Sequence, residues 1–413
     1  MMRSLYAGVS GLRNHQIRMD VIGNNIANVN TIGFKSNRVT FADMFYQTLS
    51  AGASATATTG GTNPKQVGIG VTLGSIDTIF TQGNIESTGR TTDLAVEGDG
   101  FFVVRGAGGE DYVTRAGAFT QDEEGFLTNP AGYRLMGWTS DANGVLGTDL
   151  KVIQIRKGEE IAPGATSKMA WSGNLDSRLD AADPDNNTRV TSKQIYDSQG
   201  NIHELEVTFT KTANNTWNWA VTKYPTGATL GSGTGTISFF DGGTIDPATS
   251  VVNISLTNIP GGVADMNNIE LDFAHLTQYA KENSANIESQ NGFPVGSLSD
   301  LDIDSNGVIT GLYSNGQRRT LAQVAVGSFS NIEGLTKVGQ TMYMESNNSG
   351  ELVIDKALSG GRGVIRSGSL EMSNVDLSQQ FTDMIITQRG FQANSRIITT
   401  SDEMLQELVN LKR

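Results

Sequence analysis

Residues 376–411, DLSQQFTDMIITQRGFQANSRIITTSDEMLQELVNL, decide the fold class. Apolar side chains stand at Leu377, Phe381, Met384, Phe391, Ile398, Leu405 and Val409, with Gln388, Ser395 and Asp402 in the gaps. This alternation of four and three steps marks the seam of a coiled-coil-like helix, because it keeps one narrow face pointing at a partner. Asn374 or Asp376, next to Ser373, is suited to cap its start. At 1.5 Å per residue the helix would run about 54 Å. A second apolar edge, at Ile385, Ile386, Ile397, Leu408 and Leu411, asks for partners on more than one side.

The start of the chain follows the same rule. Leu5, Val9, Leu12, Met19 and Ile26 keep that spacing once Gln16 and Gly23 fill the gaps. A helix over 4–28 would extend about 37 Å. An amphipathic terminal helix ordinarily covers the core of its own domain. Two ends with one spacing, and a surplus apolar edge, point instead to helices that pair and then pack against copies of themselves.

The interior reads as β structure. Turn signals recur at Asp99-Gly100, Glu124-Gly125, Asn143-Gly144, Gly200-Asn201, Asn306-Gly307 and Asn315-Gly316. Leu205, Val207 and Phe209 alternate with polar residues, as do Trp217, Trp219 and Val221, and Asn214-Asn215 between them predicts a hairpin. Only 276–284 suggests a short helical turn. Residues 50–63 are small and polar and read as extended or poorly ordered. Residues 151–274 are rich in Thr, Asn, Asp and Gly and read as an inserted β-domain. The expected architecture is nested and multidomain. Residues 1–30 and 370–413 form a paired helical, coiled-coil-like domain. Residues 31–70 and 360–369 are extended connections. Residues 71–150 and 275–359 form a β-domain, and 151–274 form the second, inserted one.

Composition excludes several classes of function. The 413 residues carry a formal net charge of −13, which phosphates would repel, so neither nucleic acid nor an anionic membrane is an expected partner. There is no cysteine, which removes disulfides, thiolate metal sites and thiol catalysis. No apolar run of about 20 residues suggests membrane insertion. Arg13, Asn14, His15, Gln16 and Arg18 interrupt the apolar start, so export without a cleaved signal peptide is expected.

Chemistry-bearing motifs are missing. No G-x-G-x-x-G, P-loop or G-x-S-x-G occurs. His203-Glu204 begins a zincin-like pair, but position 207 is Val. Asp302-Ile303-Asp304-Ser305-Asn306-Gly307 matches the first half of a calcium loop. Its twelfth position is Tyr313 rather than Glu, so it reads as an Asx-rich turn. No catalytic residue, metal or cofactor is expected, and the chain is read as a structural protein and not an enzyme.

Three segments resemble the axial proteins of the bacterial flagellum, the family that builds its rod and hook. The first is Asn24, Asn25, Ile26, Ala27, Asn28, Val29, Asn30, Thr31, Ile32, Gly33, Phe34 and Lys35. The second runs from Gly83-Asn84-Ile85 through Thr92-Asp93-Leu94 to Gly98, Asp99, Gly100, Phe101 and Phe102. The third is Ser373, Asn374, Val375, Asp376 and Leu377, followed by Gln388-Arg389, Ala393-Asn394 and Asp402-Glu403-Met404-Leu405. They fall in family order, and the likeness covers nearly everything except 151–274. In the residues themselves, Asn28 and Asn30 suit a helix end, Gly33 permits a left-handed turn, and Phe34 anchors the chain beyond it.

The resemblance implies terminal helices lining a tube around an export channel, with β-domains stacked outward. Rod subunits of the family are shorter and lack a block like 151–274, so the resemblance implies the hook, a curved flexible tube that passes motor torque to the filament. Implied partners are further copies of the chain, the rod, the hook cap, the hook–filament junction proteins and the flagellar type III export apparatus. The implied location is outside the cytoplasm, or the periplasm if the source is a spirochaete. Some spirochaete members crosslink subunits through a cysteine and a lysine, and a chain without cysteine lacks that link. The alternatives are another axial subunit such as the distal rod, and a secreted β-rich adhesin with helical ends.

Overall fold

The structure is a computed structural model that describes residues 2–55, 59–182, 187–226, 228–231, 233–259 and 264–411, apart from the side chains of Met2 and Leu408. Two long helices sit at the ends of the chain, α1 (Met2–Ala27) and α2 (Leu377–Asn410). Asp376 starts α2, its carboxylate accepting from the backbone N–H of Ser378 and Gln379 and so satisfying two donors of the first turn. Past the end of α1 the Asn28 side chain donates to Asn24 O (2.9 Å) and accepts from the Thr31 hydroxyl (3.0 Å).

The segment expected to be an extended connection carries two antiparallel pairs. β1 (Asn37–Asp43) pairs with β4 (Val71–Thr78), and inside them β2 (Tyr46–Ser50) pairs with β3 (Lys65–Gly68). Ala53 and Thr62 add a further bridge, so the described part of 50–63 continues this hairpin; residues 56–58 lie outside the described residues. β1 and β4 lie against α1: Asn14 donates to Val71 O (2.8 Å), and Asn25 donates to Asn37 O (2.8 Å).

The chain divides into two compact units. The first holds residues 1–156, 301–310 and 319–413, both helices included. Its β body is antiparallel. Strand Phe101–Arg105 lies between Arg134–Ser140 and Asp111–Thr114, and Met342–Met344 and Thr336–Gly339 extend the sheet beyond Asp111–Thr114. Phe101, Val103, Val113, Met136 and Tyr343 form a core under it, joined by Phe80, Phe329 and Leu352. The returning chain pairs with the outgoing chain twice more, Val364–Ser367 with Leu94–Glu97 and Ser369–Glu371 with Ile85–Ser87.

The second unit holds residues 157–300 and 311–318. It is a sandwich of a four-stranded and a five-stranded sheet over one core. In the first sheet Ile202–Ala213 pairs with Thr216–Lys223, Phe209 opposite Trp219, and alternate residues are buried. The sheets meet at Phe273, whose ring centroid is 5.0 Å from that of Trp171 and 5.5 Å from that of Phe209. Residue 274 lies inside strand Met266–Thr277, and Asn286–Gln290 adds an edge to the same sheet by pairing with Lys168–Asn174. No helix occupies 276–284; the strand ends at Thr277 and a short turn at Tyr279–Lys281 follows.

Candidate assembly interface

The line along which α1 and α2 touch is mainly small and polar, with Ile398 as an apolar exception, 3.2 Å from where a Cβ added at Gly8 would stand. Ser4 meets Ser401 (3.4 Å between hydroxyls), Arg18 meets Asp383 (2.9 Å), and Asn25 donates to Gln380 (3.0 Å). A Cβ added at Gly11 would lie 2.6 Å from Asn394 Nδ2, and one added at Gly390 would lie 2.7 Å from the His15 ring. Each step up α1 is matched by a step down α2, so the helices are antiparallel. Among the described residues, those buried on α1 are Gly8, Gly11, Asn14, Ile22 and Asn25, and those on α2 are Thr387 and Ser401.

The apolar stripe read from the sequence lies beside this line. Leu5, Leu12, Met19, Ile26, Met384, Ile398 and Leu405 are half-buried. Val9, Leu377, Phe381, Phe391 and Val409 are exposed, as are Tyr6, Ile385, Ile386 and Ile397. Gly23, which continues the stripe, faces open space. Gln388 and Arg389 are exposed too, the Arg389 guanidinium donating to Gln392 (3.2 Å). The signal for the actual line was present in the sequence. Ser4, Gly8, Gly11, His15, Arg18, Ile22 and Asn25 keep the same spacing one residue earlier, but they lack the hydrophobicity that marks a seam.

The motif residues converge on a buried ionic knot. Lys35 Nζ lies 2.6 Å from Glu371 Oε1, with both side chains fully buried. Lys35 also donates to Thr81 O (2.8 Å). The other oxygen of Glu371 is 3.4 Å from Arg115 Nη1, and Glu371 Oε1 accepts from Gly83 N–H (2.9 Å). Burial pulls Lys35 and Arg115 below their ordinary pKa ranges, and the Glu371 charge opposes both shifts. The Glu371 main chain takes part as well, its carbonyl accepting from Gly33 N–H (2.8 Å).

Gly33 has φ +68°, and a Cβ there would lie 2.5 Å from Ala116 N, so the backbone turns where no side chain fits. Asn374 closes the same junction, accepting from Ser36 N–H and donating to Ile79 O, both at 2.8 Å. Asn25 does so between α1, β1 and α2, being almost wholly buried. Phe101 and Phe102 are core residues, and Gly100 (φ +123°) admits Val326, which would stand 2.5 Å from an added Cβ. Ala27 and Asn30 are exposed, and Phe34 and Val375 are half-buried. Sequence reasoning missed Glu371 and Arg115. Neither stands in a pattern, and only the fold brings them to Lys35.

No group of acidic and histidine side chains suited to a metal occurs among the described residues. Asp304 of the calcium-like loop accepts from the backbone of Asn306 and Val308, as an Asx turn does. His203 pairs with Asp197 at 2.9 Å.

Comparison with known families sorts these features. Residues 5–35 match the model described as flagella basal body rod protein, and 366–411 match the C-terminal model of flagellar basal body rod FlgEFG proteins. Residues 95–165 match the flagellar hook protein FlgE/F/G D1 domain, and 172–293 match the flagellar basal body protein FlaE D2 domain. Those matches define the class, an axial protein of the bacterial flagellum. The flagellar hook protein FlgE of Borreliella burgdorferi is 45% identical over 443 residues, covering all of both chains, and that of Treponema pallidum is 41% identical over 466 residues with the same coverage. The chain belongs to the flagellar hook protein FlgE family. A crystal structure of Helicobacter pylori flagellar hook protein FlgE2 shares the fold, with a TM-score of 0.52 at 16% identity over 70% of this chain and 100% of that one.

Proposed function

We propose that this chain is the structural subunit of a bacterial flagellar hook. It polymerises into a curved, flexible tube that passes motor torque to the filament and encloses the export channel. One observation carries the reading: α1 and α2 pair through small and polar groups and leave apolar side chains along both helices exposed. An exposed apolar stripe of this extent marks an interaction surface, assigned here to other copies of the chain. The seam residues, Leu5 to Ile26 on α1 and Leu377 to Val409 on α2, are assigned to contacts between copies that form the inner wall of the tube. The motif residues fix the angle at which the helix pair leaves the β body.

On this reading the chain has no catalytic task. It travels through the flagellar type III export apparatus, and its other partners are the rod, the hook cap and the hook–filament junction proteins. A distal-rod subunit is the second reading, favoured by the matches of both chain ends to rod-protein models. The 172–293 match favours the hook. Helical reconstruction of polymer grown from the purified chain tests the proposal. The expected result is a hollow, bendable tube with α1 and α2 around the bore. A straight rigid tube would favour the rod, and the absence of any polymer would overturn self-assembly.

A further inference from the structure

The β2–β3 hairpin lacks a covering layer. Every residue of both strands is exposed. Phe45 is 83% exposed, Leu49 59% and Tyr46 57%, and Met44, Val67 and Ile69 are exposed beside them. A two-stranded ribbon carrying this much apolar surface is marginal in water unless something packs on it. Asp43, at its root, pushes the Tyr46 hydroxyl above its ordinary pKa, so an acid sits next to the aromatic pair.

The first unit also holds a groove of ≈ 620 Å³, lined by Asn28, Phe34, Ala118, Pro130, Lys337 and Met342 among others. Its lining residues include one charged side chain, Lys337, and no acid. The Lys337 ammonium donates to Asn37 Oδ1 (2.6 Å) and stands 5.7 Å from the Phe34 ring centre. A cation beside an apolar wall is the complement of an acid beside an aromatic pair.

The hairpin does not belong to the groove of its own copy. Its root is held at one stretch of α1, where Ser10 accepts from Val71 N–H and Asn14 donates to Val71 O. The groove opens at Asn24 and Asn28. Ser10 and Asn24 are separated by about 20 Å along the helix, at 1.5 Å per residue. A second copy displaced along the helix axis by a step of that order would bring the root of its hairpin level with the groove.

We propose that the groove receives the β2–β3 hairpin of a second copy, with Phe45 entering it and Asp43 lying beside Lys337. This rests on the self-assembly reading and names one contact within it. Because the chain has no cysteine, disulfide trapping has no background. Two single variants, Phe45→Cys and Pro130→Cys, are mixed in equal amounts, polymerised and oxidised. A crosslinked dimer is expected in the polymer and not in the dilute mixture. Phe45→Cys mixed with Val145→Cys, which is exposed but outside the groove, should give none. Tyr46→Cys with Ala131→Cys is the second pair, in case the first disturbs folding. Polymer without a crosslink from either pair overturns the proposal and leaves self-assembly standing. Failure of the unaltered chain to polymerise overturns the self-assembly reading itself. A crosslink within a dilute double variant, Phe45→Cys with Pro130→Cys, would make the chain's own hairpin the occupant and overturn the proposal. In a separate arm, Lys337→Glu should raise the concentration at which polymer appears, and Asp43→Lys in the same chain should lower it again. Rescue supports the pairing, and a double variant worse than either single one refutes it.

Discussion

Replacing Glu371 by Gln would remove one charge and almost no volume from the ionic knot. Lys35 and Arg115 would then be buried with no counter-charge in contact. Breaking a buried pair by deleting one partner costs about 3–5 kcal/mol, because the remaining charge keeps its desolvation penalty without its attraction. Lys35 could escape by losing its proton, but discharging an ordinary lysine at pH 7 costs about 5 kcal/mol, so that route gives little relief. Each 1.4 kcal/mol is a factor of ten, so amide protection in the first unit should fall by roughly two to three and a half orders of magnitude. Hydrogen exchange followed by mass spectrometry reads the two units separately. Peptides over 94–104 should lose protection while those over 205–221, in the second unit's core, should not change. A fall of less than about tenfold at 94–104 would refute the argument. So would an equal fall in both peptides. The triple variant Lys35→Met, Arg115→Met, Glu371→Leu should recover most of the loss, since an apolar replacement leaves no stranded charge. If it were no better than Glu371→Gln alone, the knot would be a packing feature and not an electrostatic one.

Gly33→Ala should destabilise the first unit by at least about 1–3 kcal/mol from its left-handed backbone alone, with the clash at Ala116 adding to that, measured by the same exchange experiment. Phe381→Asp and Ile385→Asp should leave the thermal stability of the monomer within about 0.5 kcal/mol, because both positions are exposed, yet abolish polymer seen by electron microscopy, because the tube would bury an unpaired charge. Lys337 should titrate near pH 8 rather than 10.5, because the protein packed around its ammonium disfavours the charge although the residue is exposed overall. Its folded pKa lies below the unfolded one, so its contribution should favour the folded state increasingly as pH rises from about 8 towards 10.5, and Lys337→Met should remove that slope in denaturation midpoints.

The sequence disclosed long-period and short-period patterns well and their partners poorly. Both helices, the Asp376 cap and the hairpin through Asn214-Asn215 follow from spacing and local chemistry. Three kinds of information did not. The ionic knot joins residues 35, 115 and 371, and no local pattern announces a contact set by the return of the chain. The pairing of β2 with β3 brackets residues 50–63, whose small polar composition suggested an extended or poorly ordered segment and gave no sign that the strands on either side of it pair. The edge of the sandwich at Asn286–Gln290 follows from register with Lys168–Asn174 and not from any change in composition near 274.

The helices carry two heptads offset by one residue, and this offset separates two tasks. One residue along an α-helix is a rotation of about 100°, so a stripe through Leu5, Val9, Leu12, Met19 and Ile26 is turned partly away from the partner that Ser4, Gly11, Arg18 and Asn25 face. The polar line contributes little binding free energy, since an exposed ion pair or a hydrogen bond such as those of Arg18 and Asn25 is worth on the order of 1 kcal/mol. It contributes register instead, because a polar group at a seam is satisfied in one alignment only. Each large apolar side chain on the stripe gains about 1.5–3 kcal/mol when a neighbour covers it. Had the apolar heptad faced α2 squarely, the chain would have buried more of that surface and left less to drive association. On the proposed reading, the polar heptad sets the register of the helix pair and the remaining hydrophobic gain goes to contacts between copies. Closely packed helices would then hold the bore of the proposed tube while weaker contacts elsewhere stay free to shift, as bending under torque requires.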